Sequence, residues 1–145
     1  MNSMEKPVGI TYTANLDGEV AVSGIYGKEL ALDCYGCLPA LFNRAGLQRF
    51  FDELVELLGM EKGDLHFWDD VGVPEEERQA RPETKGTSAI QFILTSNITI
   101  HCLDILGRVY VNIFSCKDYS VGEAKAFVQK WFRAKFVRSH VIYRD

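Results

Sequence analysis

The amino-acid sequence predicts an α+β two-layer sandwich, in which two helices cover one face of a mainly antiparallel sheet. The first observation is a set of three β-branched segments, Ser88–Leu94, Asn97–Leu103 and Val109–Phe114, whose short joins make them neighbouring strands. The second is that one helical pattern precedes these strands and another follows them, without strict alternation of strand and helix. This order favours helices that are segregated to one side of the sheet.

Two strand patterns and one helical pattern precede the central strands. Glu19–Tyr26 alternates and is predicted as an added or edge strand, and Leu30–Tyr35 is predicted as a second strand that follows Gly27. Residues 43–59 carry apolar side chains at i, i+3 and i+4 intervals, so they are predicted as a helix that Gly59 ends. The apolar positions are Leu47, Phe50, Phe51, Leu54, Leu57 and Leu58.

The remaining elements follow from similar signals. Leu65–Trp68 is predicted as a short strand, and the polar, proline-containing segment Asp69–Lys85 as a loop whose length is typical of functional or disordered segments. Ser120 and Glu123 fit a capping box that begins the second helix, and Phe136–Tyr143 is predicted as the closing strand. The apolar face of the second helix consists of Ala124, Phe127, Val128, Trp131 and Phe132.

Composition indicates one ordinary domain and argues against two classes of partner. A chain of 145 residues with 47% hydrophobic residues can build a single core. The net charge of −4 argues against nucleic acid and against an anionic membrane as partners, because both require a concentrated basic surface. The basic segment Lys130–Arg138 is interpreted as a solvated helix face rather than as a nucleic-acid site.

The first residues and the cysteines indicate a cytoplasmic protein. No apolar run approaches the roughly 18 residues that span a bilayer, and the N-terminal residues lack the apolar core of a signal peptide. Cys34, Cys37, Cys102 and Cys116 are therefore expected to be free thiols. Cys34 and Cys37 have CxxC spacing, but no second pair and no nearby His completes a zinc site, so no metal is expected.

Four side chains of reactive types lie in or next to the central strands: Ser88, Ser96, His101 and Cys116. Individually, such residues are ordinary in a half-buried sheet. Their order, however, resembles the core of the prokaryotic S-adenosylmethionine decarboxylase family. The matching pattern is Gly86-x-Ser88, Ser96-x-Ile-Thr-Ile-His101, Gly107 and Phe-Ser-Cys116, and residues 30–37 resemble the family's opening strand. The resemblance implies a domain over residues 28–145 and an N-terminal extension over residues 1–27.

The resemblance implies a self-processing enzyme. The chain would cut itself between Thr95 and Ser96, and Ser96 would become a pyruvoyl group that forms a Schiff base with the substrate amine. His101 would be the proton acceptor in processing, and Ser88 would stabilise the developing oxyanion. Cys116 would donate a proton during decarboxylation. No metal or external cofactor would be needed, and two identical protomers would form a homodimer with active sites where they meet.

Several positions differ from the family pattern and leave the substrate open. Thr95 stands where the family has Glu, Asn97 where it has His, and Pro82 where it has an adenine-stacking Phe. Cys102-Leu-Asp-Ile105 replaces Thr-Trp-Pro-Glu, which removes an indole and a carboxylate. The substrate is therefore S-adenosylmethionine or another cationic amino acid such as ornithine or arginine, in the setting of polyamine synthesis. An uncleaved relative with a binding or regulatory role, or an unrelated α+β domain, are the alternatives.

The spacing also predicts a local bend. Ser96 and His101 are separated by an odd number of residues, so strict alternation places them on opposite faces of one strand. A turn at Thr95–Asn97 is therefore expected, with Asn97 as the residue that tolerates left-handed backbone geometry.

Overall fold

The structure, a computed structural model, describes residues 11–14 and 20–145, with side chains from Gly24 onward. Its helices are α1 (Arg44–Leu57) and α2 (Val121–Phe132), and its strands are β1 (Thr11–Ala14), β2 (Val20–Ser23), β3 (Gly27–Tyr35), β4 (Lys62–Trp68), β5 (Gly86–Ile93), β6 (Ser96–Leu103), β7 (Arg108–Ser115) and β8 (Phe136–Arg144). Six strands form one sheet in the order β4-β5-β6-β7-β3-β8. Every neighbouring pair in this sheet is antiparallel. The predicted fold class is confirmed.

Alternation along the strands creates the core on one face of the sheet. Side chains of β3 and β7 are alternately buried, and the buried set faces the two helices. Phe50 of α1 packs against Phe127, Trp131 and Phe132 of α2, with ring centroids 4.9–5.9 Å apart. Both helices therefore cover the same face and seal it with aromatic contacts.

Each helix begins at a side-chain cap. The Asn43 side chain accepts a hydrogen bond from the Gly46 amide at 2.8 Å, and Gly59 follows α1 in left-handed geometry with φ of 65°. Ser120 accepts from the Glu123 amide at 3.1 Å, as half of the predicted capping box requires. Neither helix, nor any other helix in the part of the chain that the structure describes, is long and apolar enough to cross a membrane.

The second face of the sheet, the open face, lies opposite the core that the two helices cover. It carries exposed apolar side chains on edge and central strands alike: Trp68 is 84% exposed, Ile90 40%, Phe92 45% and Ile142 52%. Large exposed apolar patches often mark contact surfaces in soluble proteins. The open face is therefore a candidate contact surface.

The predicted loop Asp69–Lys85 is confirmed, with one short 3-10 turn at Glu75–Glu77. Arg44 at the start of α1 donates two 2.7 Å hydrogen bonds to Asp69, and these bonds lower the pKa of the Asp69 carboxyl. Lys85 Nζ lies 3.1 Å from Asp70 Oδ2. The Arg44–Asp69 pair therefore fixes the start of the loop to α1, and the Lys85–Asp70 pair joins the two ends of the loop to each other.

Two predicted strands differ from the structure in extent or partner. The strand predicted at Glu19–Tyr26 is β2, which pairs with β1 in a separate two-stranded sheet instead of extending the main one. The strand predicted at Leu65–Trp68 begins earlier, at Lys62, because a bulge between Lys62 and Leu65 interrupts the alternation on which the prediction relied. Of the predicted N-terminal extension, residues 1–10 and 15–19 lie outside the described residues.

Candidate active site

The candidate site begins at the tip of the β5–β6 hairpin. Ile93 and Ser96 are paired, so the turn consists of Leu94 and Thr95 alone. Thr95 has left-handed geometry, with φ of 53°. Asn97 lies within β6 and pairs with Phe92 and Phe114, so the prediction that Asn97 supplies the left-handed residue is wrong. The tight turn places that geometry two residues earlier, at the predicted scissile bond.

Ser96 and Cys116 lie together beside this turn. The Ser96 side chain is 6% exposed, and its Oγ accepts a 3.4 Å hydrogen bond from the Cys116 amide. Thr95 Oγ1 lies 3.7 Å from Cys116 Sγ. Three of the predicted site residues therefore occupy one end of the sheet, because β7 ends where β6 begins.

Ser88 and His101 form a second pair on the open face. They are direct partners in the β5–β6 ladder, and Ser88 Oγ is hydrogen-bonded to His101 Nδ1 at 2.6 Å. A Cβ at Gly86 would overlap the Cys102 carbonyl oxygen, so the glycine of the Gly86-x-Ser88 pattern allows β5 and β6 to approach closely there. The hydroxyl fixes the ring orientation and leaves Nε2 to exchange a proton with another group.

Within one chain, the Ser96–Cys116 pair and the Ser88–His101 pair lie apart. Ser96 shares the buried face of β6 with Ile98 and Ile100, whereas His101 belongs to the opposite face. Five residues of strand separate them, which corresponds to roughly 16 Å at about 3.3 Å per residue. The turn expected from their odd spacing lies before Ser96, so it does not change the face on which either side chain lies.

Gln91 is a site-supporting residue that the sequence analysis missed. Its side chain is 2% exposed, and its amide nitrogen donates to the carbonyl oxygens of Gly63 at 3.0 Å and Phe92 at 2.9 Å. A glutamine on the buried face of an otherwise apolar strand was the available signal. The side chain links the bulge in β4 to β5 just before the turn, so it stiffens the hairpin tip.

Asp104 is a second residue that sequence reasoning missed, and unlike Gln91 it has no local sequence signal. It follows β6, and its Oδ1 is buried without a hydrogen-bond partner. Burial raises the pKa of its carboxyl, while nearby Lys85 acts in the opposite direction. The family's Trp and Glu positions hold Leu103, which is 5% exposed, and Ile105, which is 56% exposed. Neither can form a charged hydrogen bond to a ligand.

The other cysteines are far less suited to chemistry than Cys116. Cys34, Cys37 and Cys102 are buried, and burial raises the pKa of Cys34 to about 12 and of Cys37 to about 11. No group of three or more His, Cys, Asp and Glu side chains in the described ranges is arranged to hold a metal ion. The half-exposed Cys116 is the thiol that adjoins the hairpin turn.

These features define an α+β two-layer protein in which Ser96 follows a tight turn and lies beside Cys116. A family model described as S-adenosylmethionine decarboxylase matches residues 28–145, and the chain belongs to this family. The fold is similar to the crystal structure of the adenosylmethionine decarboxylase from Aquifex aeolicus VF5, with a TM-score of 0.67 and 17% sequence identity over 84% of this chain and 92% of that chain. At this identity the similarity concerns the fold. Comparison with curated proteins gives no match.

The four cysteines are expected to differ sharply in reactivity. With the uncut Ser96→Ala chain, iodoacetamide near neutral pH should label Cys116 on the order of tenfold or more faster than Cys34 or Cys37, because a raised pKa leaves less of the reactive thiolate. Peptide mass spectrometry after timed labelling measures each rate. Equal rates in the folded chain would contradict this account, and labelling in urea is the control that should remove the difference.

Proposed function

We propose that this protein is a pyruvoyl-dependent decarboxylase that generates its own prosthetic group by cutting the bond between Thr95 and Ser96. The observation that carries the proposal is the position of this bond. It lies in a two-residue turn with left-handed geometry, and the side chain of Cys116 adjoins it. Membership of the S-adenosylmethionine decarboxylase family supports the same chemistry.

The proposed first steps join Ser96 Oγ to the carbonyl that immediately precedes Ser96 in the chain. Ser96 Oγ bonds to the carbonyl carbon of Thr95, the amide bond to the Ser96 nitrogen breaks, and the hydroxyl proton moves to that nitrogen. A base then removes the Ser96 α-proton, and Thr95 leaves as a carboxylate. Water displaces the nitrogen as ammonia, which leaves a pyruvoyl group at residue 96.

The residues present fit this group. A cut at the turn leaves the ladder from Ile93–Ser96 onward intact, so β5 and β6 would hold the new ends in place. The group supplies a carbonyl that withdraws electrons from the substrate's bond to its carboxylate. Cys116, whose amide already donates to Ser96 Oγ, is the proposed proton donor to the reacting carbon.

The separation of Ser96 from His101 supports a homodimer with shared sites. If the open faces of two protomers meet about a two-fold axis near the middle of β6, the Ser96 end of one protomer faces the Ser88–His101 end of the other. The hairpin tip that carries the Thr95–Ser96 bond and Cys116 would then lie beside His101 of the partner subunit, while Ser96 Oγ faces the core in the intact chain. The exposed apolar residues of the open face would be buried by the same contact.

In such a site the Nε2 atom of His101 would accept the proton that processing releases. Ser88 holds the imidazole by its 2.6 Å hydrogen bond to Nδ1, and its hydroxyl is the proposed donor to the oxyanion that forms at Thr95. An imidazole is the side chain best suited to exchanging a proton near neutral pH. Both roles require the hairpin register that pairs Ser88 with His101.

S-adenosylmethionine is the proposed substrate because the family description names it. Polyamine synthesis is the proposed setting, as the resemblance in the sequence implies. A second candidate is another cationic amino acid, such as ornithine or arginine. The observation that favours it is the loss of nucleoside-binding groups, since Leu103, Ile105 and Pro82 replace an indole, a carboxylate and a stacking ring. Each lost stacking contact corresponds to about 1 kcal/mol and each lost charged hydrogen bond to about 1.5–3 kcal/mol.

Self-cleavage is expected to divide the purified chain into residues 1–95 and 96–145, the second fragment being blocked at its amino end. Intact-mass measurement over time detects both fragments, and Ser96→Ala is the matched control that should remain a single mass. A wild-type chain that stays intact after long incubation would leave the uncleaved binding or regulatory relative as the surviving interpretation.

Carbon dioxide release from the cleaved protein is expected with one member of a panel that contains S-adenosylmethionine, ornithine and arginine. Cys116→Ala should lower the rate on the order of 10²-fold or more, because general acid catalysis is lost. Release from S-adenosylmethionine alone would overturn the second candidate, and release from none would contradict the decarboxylase assignment.

A further inference from the structure

Thr95 has a backbone geometry that its side chain disfavours. Its φ of 53° lies in the left-handed region, which β-branched residues enter only as outliers. Among the described residues other than glycine, only Arg133 shares this geometry. Arg133 is unbranched at Cβ and follows α2, where left-handed residues commonly end helices. A β-branched residue with left-handed backbone geometry therefore occurs, among the described residues, at the predicted scissile bond.

The type of turn adds to the mismatch. Two-residue hairpin turns normally have positive φ at their first position, because those turns match the twist of the flanking strands. Here Leu94 has no positive φ, and the left-handed residue is the second one, a position that normally takes glycine or asparagine. The hairpin uses neither the usual turn nor the usual residue.

Hydrogen bonds on both sides hold the turn in this geometry. The Leu94 amide donates to the Glu61 carbonyl at 3.0 Å, and the Cys116 amide donates to Ser96 Oγ at 3.4 Å. The buried Gln91 amide bonds the backbone of β4 to that of β5 just before the turn. Strained backbone persists when its surroundings fix it in this way.

We propose that the strained backbone of Thr95 is a positioning device that accelerates self-cleavage, an inference that rests on the proposed function. When Ser96 Oγ bonds to the Thr95 carbonyl carbon and the amide bond breaks, the connection runs through the longer Ser96 side chain. Thr95 is then no longer confined by the adjoining peptide unit, and its φ can relax. The strain is present in the intact chain and decreases along the reaction, so it lowers the barrier.

Three substitutions at this position separate strain from hydroxyl chemistry. Thr95→Asn and Thr95→Gly accept left-handed geometry and relieve the strain. Thr95→Val keeps the β-branch but loses the hydroxyl that lies 3.7 Å from Cys116 Sγ. Arg133→Asn is the matched control, since it relieves the same geometry at a distance from the hairpin.

The experiment measures cleavage rates after refolding, by intact mass at timed intervals. Thr95→Asn and Thr95→Gly should cleave about tenfold or more slowly, the factor to which strain of this kind corresponds. Thr95→Val should cleave faster than either, and Arg133→Asn should match the wild type. Cleavage of Thr95→Asn and Thr95→Gly at the wild-type rate would overturn the proposal, as would a larger loss in Thr95→Val.

A stability measurement in the uncut Ser96→Ala chain distinguishes failure of this inference from failure of the proposed function. There Thr95→Asn should raise the thermal midpoint by roughly 3–6 °C, because the strain is removed. An unchanged midpoint would show that Thr95 stores no strain and would overturn the inference. A raised midpoint would confirm that Thr95 is strained. If the wild-type chain nevertheless never cleaves, the proposed function is overturned, and the proposed role of the strain in cleavage is overturned with it.

Discussion

The two-residue turn at Leu94–Thr95 fixes the register of β5 and β6, and this register determines where each reactive side chain lies. Because side chains alternate along a strand, a register slip of one residue between β5 and β6 would put Ser88 and His101 on opposite faces of the sheet. With the turn as it is, Ser88 lies directly opposite His101, and the two side chains are hydrogen-bonded on the open face. The same turn places the Thr95–Ser96 bond at the surface, beside Cys116.

The core beneath the sheet makes this arrangement rigid. Phe50 joins the two helices through aromatic contacts, and the buried residues of β6 pack on the same face. Gln91 introduces a polar group into that face, but its amide nitrogen donates to backbone carbonyls of β4 and β5. A buried amide of this kind contributes more to the geometry of the tip than to stability, since net hydrogen-bond energies are only about 1 kcal/mol.

Much of the fold was predictable because its signals are local. The helical spacing in residues 43–59, the capping serine at Ser120 and the three β-branched central segments each appear in the structure as predicted. The partner of β2 was not predictable, since alternation identifies a strand but not its neighbour. The start of β4 was missed because a bulge breaks the period.

The candidate site was predictable only in part. Family spacing pointed to the four candidate residues, and their roles stay a prediction. The left-handed position was assigned to Asn97, because propensity favours asparagine over a β-branched threonine there. Tertiary hydrogen bonds to Glu61 and Cys116 override that propensity and hold Thr95 in the disfavoured geometry. The burial of the Asp104 carboxylate oxygen has no counterpart in local sequence either, since it depends on how the turn after β6 packs.

Ser96 and His101 lie on opposite faces of β6 within one chain. The central proposal therefore is that one chain supplies Ser96 and Cys116 while a second copy supplies His101. The most direct measurement mixes two differently tagged variants, Ser96→Ala and His101→Ala, unfolds and refolds them together, and identifies the cut chain by mass. The account predicts that the His101→Ala chain, which alone cleaves on the order of 10²-fold or more slowly than the wild type, is cut in the mixture while the Ser96→Ala chain is not. If mixing leaves the His101→Ala chain as slow as it is alone, the shared site does not exist.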